Sequence, residues 1–481
     1  MDTDKGSMML KLKRAVAGAF CAAFAVEAAA AQEPAAMLTP AQEKTVERLI
    51  AAGLADKTAY DVLESLTTEI GPRLAGSDAE ARARDWGAAK LKSLGFQNVR
   101  VETFDIPYWN RVSERVEIVS PFPQPMAATA LGGSVATPDG GVVGEVVRFG
   151  TLADLQRAPE TGLEGKIVFV DEPMTRTQDG SGYGAAVAKR SFAAIEAGNR
   201  GALAAVIRSV GTDSHRNPHT GGMGYRDAKK KVAIVAVSNP DADQLARALK
   251  LSDEPVTVRV DVQVETRPAA TSGNVIGEIP GASDEIIVVG GHLDSWDLGT
   301  GAVDDGAGVA ITAAAAKLVG DLRGKPKRTI RLILWGSEET GLHGARAYSK
   351  AYADSLDKHL LAAESDFGAG KVWQLQTRFG ESALPKAKTM ARLLRPLGVG
   401  PGDNAAGGGP DVIPLRQAGV PVLSLRQDGS DYFDLHHTPD DTLDKVALED
   451  LQQNVAAWAA MIYMASEMEG GFREEQTAIS E

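Results

Sequence analysis

The stretch 286–311, IIVVGGHLDSWDLGTGAVDDGAGVAI, narrows most sharply what this chain can fold into. Its apolar, β-branched start reads as a buried strand that ends at Gly290-Gly291. His292 and Asp294 then stand at the strand's C-terminal lip, where open α/β sheets place ligands. A glycine-rich loop carries Trp296, Asp297, Gly299 and Gly301 to Asp304-Asp305, after which Gly306, Gly308 and an alanine run open a helix. Glycines let backbone fold tightly there. One imidazole and four carboxylates are thereby gathered near one strand end, which is half of a metal site. Taken alone, a His-x-Asp pair is as readily a surface hydrogen bond, and an Asp-Asp-Gly a turn.

The chain after Arg267 repeats the strand-then-helix plan. A strand at 285–289 precedes a helix at 307–322, and a strand at 329–335 precedes a helix at 342–356. Shorter strands are expected at 360–363, 372–376 and 422–425, before a closing amphipathic helix at 448–468. Such alternation makes an α/β fold, with a mostly parallel sheet covered by helices on both faces. Earlier, Val46, Leu49, Ile50 and Leu54 share one helical face, and Gly95 caps a helix begun near Asp78. Between 115 and 267 the texture changes to short β runs, with helices at 191–197 and 242–249, which predicts a compact β-rich insert. His215 and His219 inside it read as loop polar residues rather than ligands.

Length and charge set the outer bounds. A chain of 481 residues is expected to form two or three domains. The net charge of -13 excludes a nucleic-acid or anionic-membrane partner, because phosphate binding needs a basic face. Lys11, Lys13 and Arg14 precede the apolar run 15–26, and small residues 28–31 lie just before Gln32. That order reads as a secretory signal cleaved after Ala31, too short for a membrane span. Asp2 and Asp4 are unusual in such a segment and make Met8 or Met9 an alternative start. The one cysteine, Cys21, falls inside it, so the mature chain has neither a disulfide nor a thiolate ligand. An exported protein, periplasmic or secreted, follows.

The remaining ligands stand at other strand ends. The run 329–335 leads to Gly336-Ser337-Glu338-Glu339, two adjacent carboxylates that point differently, one toward a metal and one toward a substrate. The run 360–363 leads to Asp366, and 434–442 holds His436 and His437, two of seven histidines. His292, Asp304, Glu339, Asp366 and His437 together supply two imidazoles and three carboxylates. That count suits two metal ions joined by a bridging carboxylate, with a water or hydroxide shared between them. Imidazole and carboxylate without thiolate favour zinc, with cobalt or manganese as substitutes. Ions about 3.5 to 4 Å apart generate hydroxide at neutral pH and clamp a tetrahedral intermediate.

At these residues the sequence resembles the dizinc exopeptidase family of aminopeptidases and glutamate carboxypeptidases, most of all its carboxypeptidase Q branch. The likeness covers nearly the whole mature chain. It runs through GPRLAGS at 71–77, IPYW at 106–109, IRSV at 207–210, PHTG at 218–221, GHLDSWDLGTGAVDDG, PKRTIRLILW, SEE, ESD, GPD at 409–411, QAGVP at 417–421 and HHTPDDT. The resemblance implies a phosphorylase/hydrolase-like core interrupted by a β-rich protease-associated domain. The division is then a signal peptide at 1–31, a linker at 32–42, peptidase parts at 43–114 and 268–470, the insert at 115–267 and a tail at 471–481. It further implies that His292 and Asp366 hold one zinc, Glu339 and His437 the other, and that Asp304 bridges. Glu338 is then the general base, moving a proton from the bridging water to the leaving amine. Asp294 and Asp305 become supporting residues, Asp294 by orienting His292. A cis peptide is expected at Asp304-Asp305.

Other roles are more open. The aminopeptidase branch usually has Tyr where this chain has His436, so His436 either donates to the developing oxyanion or only packs beside the site. Asp411, Gly408 and Gly409 are candidate substrate contacts, because the glycine-rich run 400–409 would border the pocket that reads the substrate's end. The expected function is hydrolysis of short peptides or dipeptides. The alternatives are an aminopeptidase on longer peptides and a non-catalytic metal-containing binding protein, which would have lost ligands or the base. A homodimer is implied by resemblance only. The absence of a Gly-x-Ser-x-Gly elbow argues against a serine hydrolase, and Gly299-Thr300-Gly301 lacks the third glycine of a dinucleotide fingerprint.

Overall fold

Three parallel strands, each buried on both faces, fix where the chemistry can sit in the computed structural model, which describes residues 37–474. The expected signal segment lies outside the described residues. Ile286–His292 is flanked by Thr329–Trp335 and His359–Glu364, with Ile286 opposite Thr329, His292 opposite Trp335 and Val289 opposite Ala363. Burial on both faces explains why these strands are continuous apolar runs rather than alternating ones. Successive side chains still point to opposite faces. Ile287, Val289, Leu332, Leu334 and Leu361 pack on one side against Ala307–Gly320 and Leu448–Glu467, while Val288, Ile333, Trp335 and Ala362 pack on the other with Tyr348 and Leu415. The α/β expectation of helices on both faces therefore holds. The alanine helix 313–316 is wholly buried, as a helix apolar all round must be.

The sheet continues well beyond these strands and reaches fourteen among the described residues. On one side lie Val422–Gln427, Val372–Arg378 and Gly400–Pro401. On the other side the long strand Thr257–Ile279 acts as the junction. Its far end pairs with Thr329–Trp335, Val275 lying opposite Leu334, and its near end with Val142–Phe149, Val260 lying opposite Val142. Lys166–Val170, Ala204–Arg208 and Ala233–Val237 follow in parallel. Gln97–Ser120 runs antiparallel to Thr257–Ile279 along most of its length.

The 115–267 segment holds both expected helices in lengthened form and two further short ones. Leu152–Arg157, Ala188–Asn199 and Asn239–Leu251 interleave with its parallel strands, so it is itself an α/β layer with apolar clusters on both faces. The helix Asn239–Leu251 runs longer than its apolar periodicity implies because a cap sets its start. Ser238 accepts from the Asp241 N–H, with Pro240 in the first turn. A cap likewise starts the first helix inside the expected linker 32–42. Thr39 and Gln42 form a reciprocal capping box, and the helix Pro40–Gly53 begins inside the Pro- and Ala-rich stretch. Among the described residues no helix is long and apolar enough to cross a membrane.

Candidate metal centre

Because the three strands are parallel and in register, their C-terminal ends come out side by side. His292 is the last residue of its strand, Asp366 follows Glu364 by two residues, and Glu338 and Glu339 follow Trp335 by three and four. Ser337, at φ +61°, turns the chain so that Glu338 and Glu339 face the same edge. The Asp304–Asp305 peptide is cis, as expected.

The structure brings all five expected ligands together in two groups that share Asp304. Its Oδ1 lies 3.0 Å from His292 Nε2, and Asp366 Oδ1 lies 3.7 Å from the same nitrogen. Its other oxygen, Oδ2, lies 3.2 Å from His437 Nε2, and Glu339 Oε2 lies 3.1 Å from that nitrogen. His436 stacks face to face on His437, at 3.5 Å between ring centres, with its Nε2 3.5 Å from Asp304 Oδ2. Both imidazoles therefore reach the shared carboxylate, and the contact with Glu339 singles out His437.

Asp294 and Asp305 both brace the centre. His292 Nδ1 lies 2.8 Å from the carbonyl oxygen of Asp294, not its carboxylate, which leaves Nε2 for the centre. The Asp294 carboxylate instead accepts the backbone N–H groups of Glu338 at 3.0 Å and Glu339 at 3.3 Å. It thus sets the turn from which the neighbouring strand presents both glutamates. Asp305 accepts from the His292 N–H at 2.9 Å and the Gly308 N–H at 3.0 Å, tying strand to helix. That close approach requires glycine twice. A Cβ on Gly291 would come within 2.5 Å of Asp305 Oδ2, and one on Gly308 within 1.9 Å of the Ser365 carbonyl oxygen.

Two supports escape sequence reasoning. Asp441 accepts the N–H groups of Val303 and Asp304. Fully buried Arg73 donates to the carbonyls of Leu293, Thr300 and Gly301, pinning both ends of the loop. Both residues lie inside quoted motifs, HHTPDDT and GPRLAGS, but nothing in either motif says which groups they bond.

The electrostatics fit cations. Burial alone would lower the imidazole of His437, yet Glu339 and Asp304 outweigh it and hold it at about 9. His292 is likewise held well above its ordinary value, burial being outweighed by Asp304 and Asp366. Burial would raise Asp304, but the imidazoles of His292, His437 and His436 hold it well below the usual range. Glu338 is pushed well up by burial, with Glu339 and Asp366 adding to it. Asp304 Oδ2 and Glu339 Oε1 are buried and accept no hydrogen bond. Buried carboxylates outnumber the imidazoles and leave acceptors unmet, a donor set that fits two divalent cations. Without a thiolate, the set has the hard and borderline donors that zinc accepts.

The centre opens into a cavity of about 730 Å³. Asp304, Glu338, Glu339, Asp366, His436 and His437 form its floor, and Tyr108, Trp109, Tyr183, Arg190, Met223 and Trp296 are among its walls. Asp411, Gly408 and Gly409 do not line it. The Gly408 carbonyl accepts the Glu364 N–H at 2.8 Å, Gly409 packs on the Glu364 side chain, and the Asp411 N–H donates to Glu364 Oε2 at 2.7 Å. They back the strand that leads to Asp366, while Pro410 between them reaches the cavity. Tyr183, Arg190 and Met223 come from the 115–267 segment, and no local pattern in the sequence marks them as wall residues.

Residues 274–462 match the family model described as Peptidase family M28. Carboxypeptidase Q of Mus musculus is 35% identical over 430 residues, 89% of this chain and 89% of that protein. Aminopeptidase YwaD of Bacillus subtilis is 25% identical over 434 residues, 86% of this chain and 85% of that one. Among solved structures, that of a peptidase M28 precursor from Shewanella amazonensis matches with a TM-score of 0.88 at 48% identity, covering 90% of this chain and 98% of that chain.

Proposed function

The chain belongs to peptidase family M28, and from that premise we propose that it is an exported dizinc exopeptidase that cleaves short peptides, dipeptides above all, next to a free carboxyl end. His292 and Asp366 would hold one ion, His437 and Glu339 the other, and Asp304 both. The observation that carries the end preference is Arg190, the one arginine or lysine among the described residues lining the cavity. Its Nη1 lies 3.4 Å from His437 Nδ1, on the far side of the ring from Asp304 and Glu339. Its buried Nε has no hydrogen-bond partner. A guanidinium offers a carboxylate two parallel donors. It lines the same cavity as Glu338, Glu339 and Asp304, which would meet the scissile carbonyl.

Zinc held by these residues supplies Lewis acidity and brings the pKa of water toward neutrality. Glu338, facing the cavity, takes the proton of the attacking water and returns it to the leaving amine nitrogen. His436 is kept neutral because burial and neighbouring His437 hold its imidazole well below its ordinary value. A neutral imidazole keeps one N–H, and His436 lines the cavity, so the ring would offer that N–H to the developing oxyanion. His436→Phe is expected to lower kcat about 10²- to 10³-fold, as loss of one oxyanion donor does. Unchanged turnover with metals retained would remove that role.

The segment 115–267, read as a protease-associated insert, supplies Arg190, Tyr183 and Met223 and so narrows the cleft toward small substrates. Export rests on the basic, apolar and small-residue order of the first 31 residues, and a homodimer on the resemblance alone. An aminopeptidase acting on longer chains is the second reading, favoured by the likeness to YwaD. Kinetics on free, N-acetylated and C-amidated dipeptides separate the two. Arg190→Met is expected to raise KM at least about tenfold for peptides with a free carboxylate, the loss of one charge-assisted pair of ~1.5 kcal/mol or more, and to leave amides almost untouched. Equal cleavage of free and amidated peptides by the wild type would hand the site to the aminopeptidase reading.

A further inference from the structure

His437 is held from outside its own element. It is a non-glycine residue at φ +63°, a conformation that persists only when surroundings enforce it. Its carbonyl accepts the N–H of Thr220 at 3.0 Å, and its Nδ1 lies 3.3 Å from the Thr220 carbonyl oxygen. Thr220 thus grips His437 twice, at backbone and ring, from more than two hundred residues away in sequence. Trp296 packs edge-on against the same ring, 5.8 Å between centres.

Both grips are tied to one guanidinium. Arg111, on the strand Gln97–Ser120, donates from Nη2 to Thr220 Oγ1 at 3.2 Å. It also forks onto Asp297, the residue after Trp296, with Nε at 2.9 Å and Nη2 at 2.8 Å. Its Nη1 donates to Thr129 Oγ1 and to the Ala130 carbonyl, which Thr220 Oγ1 also reaches at 3.1 Å. The Arg111 side chain is 7% exposed, so these bonds are shielded from water. The other half is held by different groups, with buried Arg73 bonded to the carbonyl of Leu293, the residue after His292. His292 is fixed by its own strand, by the Asp294 carbonyl and by Asp305.

We propose that Arg111 is a positioning residue for one half of the metal centre: through Thr220 and Asp297 it sets His437, and with it the ion held by His437 and Glu339, while the half at His292 and Asp366 is independent of it. The inference rests on the two-metal reading above. A bidentate guanidinium is not replaced by an ammonium, so Arg111→Lys should share the defect of Arg111→Met in weaker form.

The test is zinc retention by the full chain during equilibration with graded chelator, with melting temperature and far-UV spectrum recorded on the same samples. Wild-type protein is expected to hold two equivalents. Arg111→Met is expected to release one equivalent at about 10- to 100-fold lower chelator strength, the usual cost of losing an outer partner of a ligand, and to keep the second as the wild type does. Asp297→Asn, which keeps an oxygen facing Arg111, guards against a folding failure of Arg111→Met and should show the same one-equivalent loss, reduced in size. Cobalt substitution gives an independent reading, with the visible band of one ion lost and that of the other kept. A variant that releases both equivalents in parallel, or neither earlier than wild type, overturns the proposal and leaves the two-metal reading standing. Wild-type protein that binds a single equivalent overturns both.

Discussion

Glu338→Gln is expected to lower kcat by about 10²- to 10⁴-fold, the range a positioned general base contributes, with both metals still bound. Glu338 belongs to neither of the ligand groups around Asp304, yet it lines the same cavity beside them. Burial pushes its carboxyl well up, and the charges on Glu339 and Asp366 push in the same direction, so it holds a proton far more readily than a surface glutamate. A base that must accept a proton from water and hand it to an amine needs that affinity. Its backbone N–H is fixed by the Asp294 carboxylate at 3.0 Å, and that bond is indifferent to the side chain. Gln therefore keeps the volume and the turn while removing the carboxylate proposed to move the proton. The measurement is kcat on a free dipeptide with metal content taken from the same preparation. Turnover within a few-fold of wild type would assign the proton transfer to another residue.

Glu338 also shows what a sequence can and cannot reveal. Its position follows from an apolar run that stops at a pair of acids, and so do those of His292, Glu339 and Asp366. Buried parallel strands are unmistakable runs, and the residues just past their ends have one edge to occupy. Register then does the rest, since His292 pairs with Trp335 and Gly290 with Glu364. The partners of those residues are much less legible. An aspartate carries both a carbonyl and a carboxylate, and letters alone cannot say that Asp294 gives the first to His292 and the second to the turn at Glu338. Arg111, Arg190 and Thr220 reach the centre only because two long antiparallel strands, interrupted by bulges, carry the 115–267 layer over the cavity. A one-residue slip in that pairing would reverse which face each side chain occupies. The glycine run before Asp411 misleads for a related reason. Its glycines suit a substrate's approach, but Gly409 is needed where Glu364 packs against it.

Asp304→Asn is expected to strip both metals, not one, and to take activity below detection. Asp304 is the one side chain common to the His292–Asp366 and His437–Glu339 groups, and its two oxygens face opposite imidazoles at 3.0 and 3.2 Å. Those imidazoles, with that of His436, hold its carboxyl well below the ordinary range in spite of burial, which favours its anionic form. Asparagine is isosteric but offers one oxygen and turns an amide NH₂ toward the other side, where a cation would meet a donor instead of an acceptor. One group loses a ligand outright and the other loses half the shared negative charge. Each metal position should weaken by more than the 10- to 100-fold that removal of an outer partner costs. His437→Ala is the control that separates sharing from general damage, because it should cost one equivalent and spare the group around His292. Two equivalents retained by Asp304→Asn, with catalysis, would mean that the groups bind their ions independently and that the carboxylate between them does not bridge.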